Sequence, residues 1–428
     1  MLLSSSKAMK LYALIPVILS VCELASAAWV TPKYKLNTAS GWTANGFATG
    51  LTKPRGVTID KLGQLLVVQS GVGIVAYSLN SDGSAAAQKT LLSYTYLNHG
   101  IALSTDGATL FASSANTAWK WSYNATTLTL SNQKKVVTNM SNDDHVTRTL
   151  IVSSKHPNLL IVSRGSNNNL DLGSADVSSG RAQVRVFNWQ SLPSGDVGYN
   201  FTAGAVLAYG VRNEVGIAED AAGRVWGVEN SADGLVRARG GVEYDVHEDN
   251  PGEKLHLLGD ASSPQSTYFG YPYCFSVWNP SLFPSADSFK VGDWFVQRPN
   301  STGINGAWCD SKATKPQLLF AAHSAPLDMK FGPSGDVSLY VSFHGSWNRE
   351  PPTGYKVVVV PGTTSGGAWL PSASLNNNKG YTDILWNSDL SVCSGSCFRP
   401  VGLSWNAAGT GLYVSSDSTG EIFFLRKS

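Results

Sequence analysis

The sequence predicts an all-β fold, a six-bladed β-propeller with long insertions in blades four and five. The first observation is a unit of two apolar strands joined by a tight polar turn, which recurs six times. The second is composition: of 428 residues, 42 are Gly and only 14% are charged, a balance typical of strand-rich and turn-rich proteins. The third is that no long segment with helical periodicity separates the units.

The six units share a polar or Pro-containing entry, an apolar run, a turn and a second apolar run. They begin at Pro54, Asn98, His145, Arg212, Ser324 and Arg399. Most are followed by a third strand, which the pattern favours at residues 73–78, 183–189, 355–361 and 421–425. The spacing of the units is uneven, so blades four and five must contain the insertions, and residues 236–323 form the largest. Other all-β architectures do not explain a sixfold repeat.

Residues 1–27 have the three parts of a secretory signal peptide. Lys7 and Lys10 precede an apolar run over residues 11–21, and Ala25-Ser26-Ala27 offers a small-residue cleavage site. The run is short for a bilayer span, so we expect no membrane anchor. We expect a secreted, extracellular protein in which residues 28–428 form a single domain. Four sequons fit this destination: Asn124, Asn139, Asn200 and Asn300.

Four cysteines remain when the signal, with Cys22, is removed. An even count in an oxidising compartment favours two disulfides. We expect a local Cys393–Cys397 clip and a Cys274–Cys309 bridge, although three pairings are formally possible. A zinc site is the weaker interpretation, because no Cys-x-x-Cys or histidine spacing accompanies these thiols.

Charge excludes one class of partner and indicates another. The net charge is only +2 and no basic run is present, so we expect no nucleic-acid partner. Equivalent positions of propeller blades converge around one axis, and the entry positions of the six units are cationic or titratable. They are Arg55, His99, His145, Arg212, His323 and Arg399. Unpaired Arg is seldom buried in a core, so these residues predict a ligand site at the channel mouth. The alternative is that these charges are scattered around a solvated rim.

The stretch from Val211 to Leu235 is the most informative part of this pattern. Arg212 offers five donors for a carboxylate or quinone oxygen, and Asn213 adds an amide. The turn that follows offers backbone carbonyls and the carboxylate of Asp233, the ligand type that calcium takes. The stretch indicates a site for an anionic organic cofactor and a divalent metal. The alternative is an Arg that caps a turn beside a solvated Asp.

A set of motifs runs in order across nearly the whole mature chain. It comprises Asp144-His145 with Arg148-Thr149-Leu150, Arg212-Asn213 with the 229–235 turn, Phe269-Gly270-Tyr271-Pro272, His323-Ser324-Ala325-Pro326-Leu327, His344-Gly345-Ser346-Trp347-Asn348-Arg349 with Gly354-Tyr355-Lys356-Val357-Val358, and Arg399-Pro400-Val401-Gly402-Leu403. In these motifs the sequence resembles the soluble aldose dehydrogenases that depend on pyrroloquinoline quinone (PQQ), most closely the fungal pyranose dehydrogenase domain.

The resemblance implies a PQQ that lies flat over the channel, with calcium bridging it to backbone carbonyls. His145 would be the general base, and Arg212 and Asn213 would contact the quinone edge. Arg55, His344 and Arg399 would hold the cofactor's carboxylates, and Asn230 joins the cofactor-binding set. Ser231 and Ala232 would supply the metal-binding carbonyls, with Asp233 beside them.

Two positions depart from the bacterial glucose enzyme of this family. Arg164 stands where that enzyme has an Asp that orients the base, so Asp143 or Asp144 are alternatives for that role. His344 stands in place of a Lys near the cofactor carboxylates. Of the aromatic residues that could stack on a sugar, Trp278, Trp294, Trp308 and Trp347, the last is the strongest candidate because it is close to His344.

The expected function is oxidation of a pyranose or aldose by hydride transfer to PQQ. We expect a monomer that passes electrons to an external acceptor, such as a secreted cytochrome or a copper monooxygenase. Two alternatives remain, a calcium-dependent propeller lactonase or esterase and a non-enzymatic sugar-binding propeller. A lactonase channel is expected to be rich in acidic and amide side chains, and a lectin does not need three inward Arg residues.

Overall fold

The computed structural model describes residues 29–299, 303–395 and 397–427. The predicted signal peptide and the sequon at Asn300 lie outside these residues. Six sheets of four or five strands radiate from a common centre and form the blades of a propeller. The predicted fold class is therefore confirmed.

The three inner strands of each blade form an antiparallel meander that runs outward from the centre. The outermost strands of blades 2 and 3 are parallel to their neighbours. From the innermost strand outward, blade 1 contains Pro54–Ile59, Leu65–Gln69, Gly73–Leu79 and Ala85–Ser93. Blade 2 contains Ile101–Leu103, Thr109–Ser113, Ala118–Asn124, Thr129–Thr138 and Tyr199–Asn200. Blade 3 contains Leu150–Val152, Leu159–Arg164, Gln183–Asn188, Ala205–Tyr209 and Thr267–Tyr268. Blade 4 contains Glu214–Glu219, Arg224–Glu229, Glu253–Asp260 and Leu318–Phe320. Blade 5 contains Pro326–Phe331, Leu339–Phe343, Lys356–Val360, Thr382–Asn387 and Leu36–Thr38. Blade 6 contains Pro400–Trp405, Leu412–Ser416, Glu421–Lys427 and Trp42–Ala48.

The two inner strands of every blade are the recurring unit of the sequence. Their innermost strands contact one another in a closed circle, from blade 1 round to blade 6 and back to blade 1. Both faces of a blade are covered by its neighbours, and the second strand of blade 1, for example, buries Leu65, Leu66, Val67 and Val68 completely. Six apolar clusters therefore lie between the blades, one between each pair of adjacent blades.

The N-terminal segment closes the ring. Its strand Trp42–Ala48 pairs antiparallel with the C-terminal strand Glu421–Lys427, and the preceding strand Leu36–Thr38 pairs with Thr382–Asn387. The outer edges of blades 5 and 6 are thus built from residues that are distant in sequence from the rest of those blades.

The long insertions lie in blades 4 and 5, as predicted. Blade 4 contains the hairpin Val236–Arg239 and Val242–Asp245, the pair Phe275–Ser276 and Trp294–Phe295, and the helix Gly306–Lys312, and blade 5 contains the hairpin Gly362–Ser365 and Ala368–Pro371. Short 3-10 helices occupy Leu172–Ala175, Val177–Ser179, Phe201–Ala203, His247–Asp249, Pro280–Leu282 and Ser285–Asp287. The Cys274–Cys309 and Cys393–Cys397 disulfides are both present, so the predicted pairing is confirmed. None of the helices in the described residues is long and apolar enough to cross a membrane.

Candidate active site

A cavity of about 740 Å³ opens at one edge of the ring, beside blades 3, 4 and 5. Its wall comes largely from residues just before the first strand or just after the second strand of these blades, and from the insertion of blade 4. Six predicted site residues line it: His145, Arg212, Asn213, Asn230, Ser231 and Asp233. The structure therefore brings the predicted base, the predicted quinone contacts and part of the predicted metal site together in one space.

His145 precedes the first strand of blade 3, and its side chain is only 11% exposed. Its Nδ1 lies 3.0 Å from both the carbonyl oxygen and the hydroxyl oxygen of Ser166. A carbonyl oxygen can only accept a hydrogen bond, so we assign the ring proton to Nδ1 and the lone pair to Nε2. Burial, and then the charge of Arg212, lower the pKa of His145 to about 4. The ring is therefore neutral near pH 7 and can accept a proton at Nε2.

Neither aspartate beside His145 orients its ring through Nδ1. Asp143 accepts a hydrogen bond of 2.6 Å from Asn167 Nδ2, and Asp144 Oδ2 lies 3.9 Å from His145 Nε2, too far for a hydrogen bond. The expectation that Asp143 or Asp144 orients the base is therefore wrong. Ser166 performs this task because its carbonyl already faces Nδ1.

Arg164 braces the loop that carries the base. Its Nη2 donates to the carbonyl of Ser141 at 2.8 Å and its Nε donates to Asn142 Oδ1 at 3.1 Å. Asn142 in turn donates through Nδ2 to the carbonyls of Gly165 and His145. The residue that stands in place of an orienting Asp therefore acts on the backbone around His145, and not on its ring.

Arg212 is fixed by a nearly complete set of hydrogen bonds and is 4% exposed. Nε and Nη2 donate to the carbonyl oxygen and Oδ1 of Asn169, at 3.1 and 2.9 Å. Nη2 also donates to Asp233 Oδ2 at 3.2 Å, and Nη1 donates to the carbonyl of Asn230 at 3.1 Å. A guanidinium has five N–H groups, so among the described residues one N–H, on Nη1, remains available for a ligand.

Asn213 and His145 are packed on either side of Gly165. A Cβ atom at position 165 would lie 2.6 Å from His145 Cβ and 2.7 Å from Asn213 Oδ1, both shorter than van der Waals contact. The side-chain amide of Asn213 forms no hydrogen bond with the part of the chain that the structure describes. Asn230 joins blades 4 and 5, because its Nδ2 donates to the carbonyl of Pro326 at 2.6 Å.

The predicted metal-binding segment is the turn after the second strand of blade 4. Ser231 and Ala232 are both buried, and no described residue donates a hydrogen bond to either carbonyl oxygen. The hydroxyl oxygen of Ser231 is also buried without a partner. Unpaired buried oxygens are costly in a folded protein. Because calcium binds such oxygens, this segment fits the predicted ion.

Asp233 uses its carboxylate for side-chain partners. Besides Arg212, it accepts from His323 Nδ1 at 3.3 Å and Asn348 Nδ2 at 3.1 Å. Burial raises the pKa of Asp233, but these hydrogen bonds and the charge of Arg212 outweigh burial and lower the pKa overall. For His323 burial lowers the pKa, but hydrogen bonds to Asp233 and to the carbonyl of His247 raise it overall. Asp233 therefore remains ionised and positions Arg212.

The three residues predicted to hold the cofactor's carboxylates line a second cavity of about 400 Å³. Asp417 joins them: it accepts hydrogen bonds from Arg55 Nη1 and, at 2.8 Å, from His344 Nε2. Arg399 Nη2 donates at 2.8 Å to the carbonyl of Gly345, which lines the first cavity. Burial lowers the pKa of His344, so only the two guanidinium groups are cationic near pH 7. With Asp417 ionised, these four residues, the anion-binding cluster, carry one net positive charge.

A buried polar cluster in blade 4 follows directly from the Arg212-Asn213 pair. One ligand-type atom each from Glu214, Glu229 and His256 lies within 4.8 Å of the others. Lys254 Nζ is 2.6 Å from Glu229 Oε1, and both side chains are completely buried. Burial, and then the charge of Glu229, raise the pKa of Glu214 well above its ordinary value. Lys254 already supplies the positive charge that a metal ion would bring, so we interpret the cluster as a buried ion pair with a protonated Glu214.

Trp347 is the aromatic residue best placed to meet a sugar. It lines the main cavity and is 72% exposed, so its ring offers a free apolar face. Trp294 is buried against the Cys274–Cys309 disulfide. Trp294 is therefore not available to stack on a sugar, because the blade 4 insertion folds around it.

Sequence reasoning missed Ser166, Glu253, Asn348 and Asp417. A signal existed for Asp417, because it directly follows the second strand of blade 6. Asn230 and His344 occupy the same position in blades 4 and 5. The repeat could therefore have been searched at strand ends as well as at strand entries. No comparable signal marks Ser166, in the 165–182 insertion after the second strand of blade 3, or Glu253, at the end of an insertion in blade 4.

Comparison with known proteins identifies relatives that cover nearly the whole of this chain. A family model described as TrAA12-like matches residues 36–428. The curated PQQ-dependent pyranose dehydrogenase of Coprinopsis cinerea is 46% identical over 402 residues, which cover 92% of this chain and 55% of that protein. The chain thus spans about half the length of this relative.

Two solved structures are similar over nearly their full length. The holo form of the pyranose dehydrogenase PQQ domain from Coprinopsis cinerea has a TM-score of 0.90 and 45% identity, covering 93% of this chain and 98% of that one. The calcium structure of a Trichoderma reesei protein of Carbohydrate-Active Enzymes Family AA12 has a TM-score of 0.87 and 40% identity, covering 94% and 99%.

Proposed function

Because the chain belongs to the TrAA12-like family, we propose that it is a secreted quinoprotein that oxidises a pyranose or related aldose with PQQ as cofactor and calcium as metal. The observation that carries the proposal is the shared cavity of His145 and Arg212, a neutral base beside a fixed cation. The names of the similar Coprinopsis cinerea protein and domain support both the cofactor and the substrate class.

The residues around the two cavities suit an anionic quinone. Arg55 and Arg399 would hold its carboxylates, as bidentate partners of this kind do in other sites. The free N–H of Arg212 and the unpaired amide of Asn213 would meet its carbonyl edge. PQQ, when bound, supplies the electrophilic carbonyl carbon that accepts a hydride from the sugar.

The chemistry of the chain's own residues is proton transfer and charge stabilisation. His145 Nε2 takes the proton of the sugar hydroxyl as the neighbouring C–H bond breaks, and Ser166 keeps Nδ1 protonated throughout. Arg212 places positive charge where negative charge develops, and its hydrogen bonds prevent it from moving away. Trp347 would form one side of the space that the pyranose occupies.

Calcium would bind at the carbonyl oxygens of Ser231 and Ala232, next to Asp233. The two carbonyls lack hydrogen-bond donors in the described residues, which is the state expected of metal ligands before the ion binds. A hard cation there would also strengthen the electrophilic character of a neighbouring carbonyl group. The calcium structure of the similar Trichoderma reesei protein supports this choice of metal.

Secretion and an external electron acceptor complete the proposal. The signal at residues 1–27, the sequons and the two disulfides support secretion. A secreted cytochrome or a copper monooxygenase would take the electrons. Mixing the sugar-reduced protein with each candidate and following its reduction tests this; no increase over the spontaneous rate would reject that candidate.

The decisive experiment is reconstitution. The chelator-treated protein is titrated with PQQ with and without calcium, and then assayed against a panel of aldoses with a dye acceptor. We expect one PQQ per chain, calcium-dependent binding and dye reduction by at least one pyranose. Calcium binding without PQQ binding would contradict the proposal, and lactone hydrolysis would then be the next assay.

A further inference from the structure

Glu253 is a carboxylate in the wall of the main cavity that none of the roles above uses. It begins the third strand of blade 4, is 3% exposed, and lines the cavity together with Ser231. Its Oε2 accepts a hydrogen bond from the backbone N–H of Ser231. Its Oε1 has only a 3.4 Å contact with the backbone N–H of Ala325. Most of the accepting capacity of Oε1 is therefore free.

No Lys or Arg of the described residues forms an ion pair with Glu253. The two nearby groups that carry positive charge, Arg212 and His323, both contact Asp233 instead. An ionised carboxylate buried without a cation is strongly unfavourable, so this position is suited to a positively charged ligand.

Other oxygen atoms in the same wall also lack partners. The hydroxyl of Ser231 and Oδ1 of Asn348 are buried and accept no hydrogen bond from the described residues. With the carbonyls of Ser231 and Ala232, these unpaired groups beside Glu253 are all oxygen atoms. An all-oxygen set with one carboxylate is the chemistry that calcium selects.

We propose that Glu253 is the anionic ligand of the calcium ion and completes the set begun by the carbonyls of Ser231 and Ala232. The inference rests on the proposed function for the identity of the metal. It divides the two carboxylates of the cavity by role. Asp233 is held by three side-chain donors and positions Arg212, whereas Glu253 neutralises the ion.

The test uses calorimetric titration of the PQQ-free, chelator-treated protein with calcium chloride. Glu253→Gln keeps the size of the side chain and can still accept from Ser231, but it removes the charge. Glu253→Asp keeps the charge but shortens the side chain by one methylene group, so the carboxylate lies closer to the main chain. Asp245→Asn is the matched control, because Asp245 lines the same cavity but is 64% exposed at its side chain. Circular dichroism verifies that each variant is folded.

We expect the calcium affinity to fall in the order wild type, Glu253→Asp, Glu253→Gln, with a loss of about 10-fold to 100-fold in the Gln variant, the range found when groups around a metal are changed. Asp245→Asn is expected to stay within about threefold, since an exposed charge is screened by solvent. Wild-type affinity in either folded Glu253 variant would overturn the inference, and so would a wild-type protein that binds no calcium.

Sugar oxidation by the wild-type protein at saturating PQQ and calcium separates the inference from the proposed function. Weakened calcium binding in the Glu253 variants, with no sugar oxidised by the wild type, would support the role of Glu253 and contradict the function. Sugar oxidation by a wild type whose calcium affinity equals that of Glu253→Gln would contradict the inference alone.

Discussion

At the scale of single residues, His145 and Arg212 divide the proposed chemistry between a neutral group and a permanent charge. The two need opposite surroundings, since a base must shed its proton and a guanidinium must keep its charge. Burial keeps the ring of His145 neutral, and Ser166 holds its proton at Nδ1. Asn169 and Asp233 hold the guanidinium of Arg212 in place. The charge of Arg212 also lowers the pKa of His145 and so helps to keep the base neutral.

Removing the base tests this division directly. We expect His145→Ala to lower kcat by about 10² to 10⁴, the contribution typical of a positioned general base, while PQQ still binds with calcium. Stopped-flow reduction of the bound cofactor by sugar gives the rate, and absorbance titration gives the binding. His156→Ala, which changes a histidine that lines neither cavity, is the control. Loss of PQQ from the His145 variant would assign that residue to binding instead of proton transfer.

The acid side of the pH profile should reflect the lowered pKa of His145. Its pKa in the folded protein is about 4, against an ordinary value of 6.5, so the base stays neutral until the pH is well below 6. We expect the acid limb of kcat/KM near pH 4, and a limb near pH 6.5 would contradict the burial of the ring. The same shift makes stability fall as the pH drops from about 6.5 to 4, because the unfolded chain binds the proton first.

Gly165 is the residue whose substitution should disturb the site most at constant charge. Gly165→Ala forces a Cβ into 2.6 Å and 2.7 Å contacts with His145 and Asn213, so one of them must move. We expect a fall of about tenfold to a hundredfold in kcat, since misplacement by about 1 Å is costly in catalysis. Gly306→Ala is the control, because its nearest neighbour would be 3.7 Å away. Crystal structures of both variants would show whether the ring of His145 has turned.

The sequence predicts the identity of the site residues better than their partners. Arg212, Asn213 and the 231–233 turn are close in sequence, so their proximity follows from one short segment. Ser166 contributes a backbone carbonyl, which any residue possesses, and its place beside His145 depends on how the 165–182 insertion folds. Glu253 is separated from Ser231 by a hairpin whose path the periodicity of the chain does not specify.

At the scale of elements, blade 4 combines the cavity wall with a buried ion pair. Its first two strands present Arg212 and Asn230 at one edge, and Lys254 on the third strand pairs with Glu229 on the second. Buried ion pairs contribute little net stability, but the loss of one partner leaves an uncompensated charge. Any displacement of the strands that position Arg212 would therefore separate two buried charges, which is unfavourable in free energy.

Breaking this pair should destabilise the fold strongly. We expect Lys254→Met to lower the free energy of unfolding by about 3 to 5 kcal/mol, because it leaves Glu229 buried and charged. Lys315→Met removes one partner of the exposed Lys315–Asp310 pair and is expected to cost less than about 1 kcal/mol. Urea unfolding at pH 7 measures both, and equal losses would show that Lys254 does not neutralise Glu229.

Strands and insertions differ in how far the sequence defines them. The six inner hairpins have alternating or continuous apolar runs bounded by turn residues, so their positions agree with the structure to within a few residues. The insertion of blade 4 has no such period, and its burial of Trp294 depends on a disulfide between residues 35 apart. Long-range constraints of this kind leave no local pattern.

At the scale of the whole molecule, the propeller is a ring closed by its N-terminal strand. Trp42–Ala48 completes blade 6 and covers the strand Glu421–Lys427. Phe47 in this strand is buried between blades 6 and 1. The strand thus links the first-formed and last-formed parts of the chain through backbone pairing and core packing.

Removing the closing strand should prevent cooperative folding. Loss of Phe47 alone would cost about 3 to 5 kcal/mol, comparable with much of the net stability of a domain. We expect a chain that begins at residue 50 to aggregate or to lack a sharp thermal transition, whereas a chain that begins at Trp29 melts in one step. Differential scanning calorimetry and size-exclusion chromatography distinguish these outcomes, and a single sharp transition in the shorter chain would contradict the role of the closure.

The anion-binding cluster spans the junction between blades 6 and 1. Arg55 belongs to blade 1, whereas Asp417 and Arg399 belong to blade 6, and the hydrogen bond between Arg55 and Asp417 joins residues 362 apart. During synthesis, a chain that has emerged only as far as blade 5 possesses Arg55 without its counterpart. The proposed quinone pocket is therefore complete only after the last blade has left the ribosome, and we expect only the finished chain to bind the cofactor.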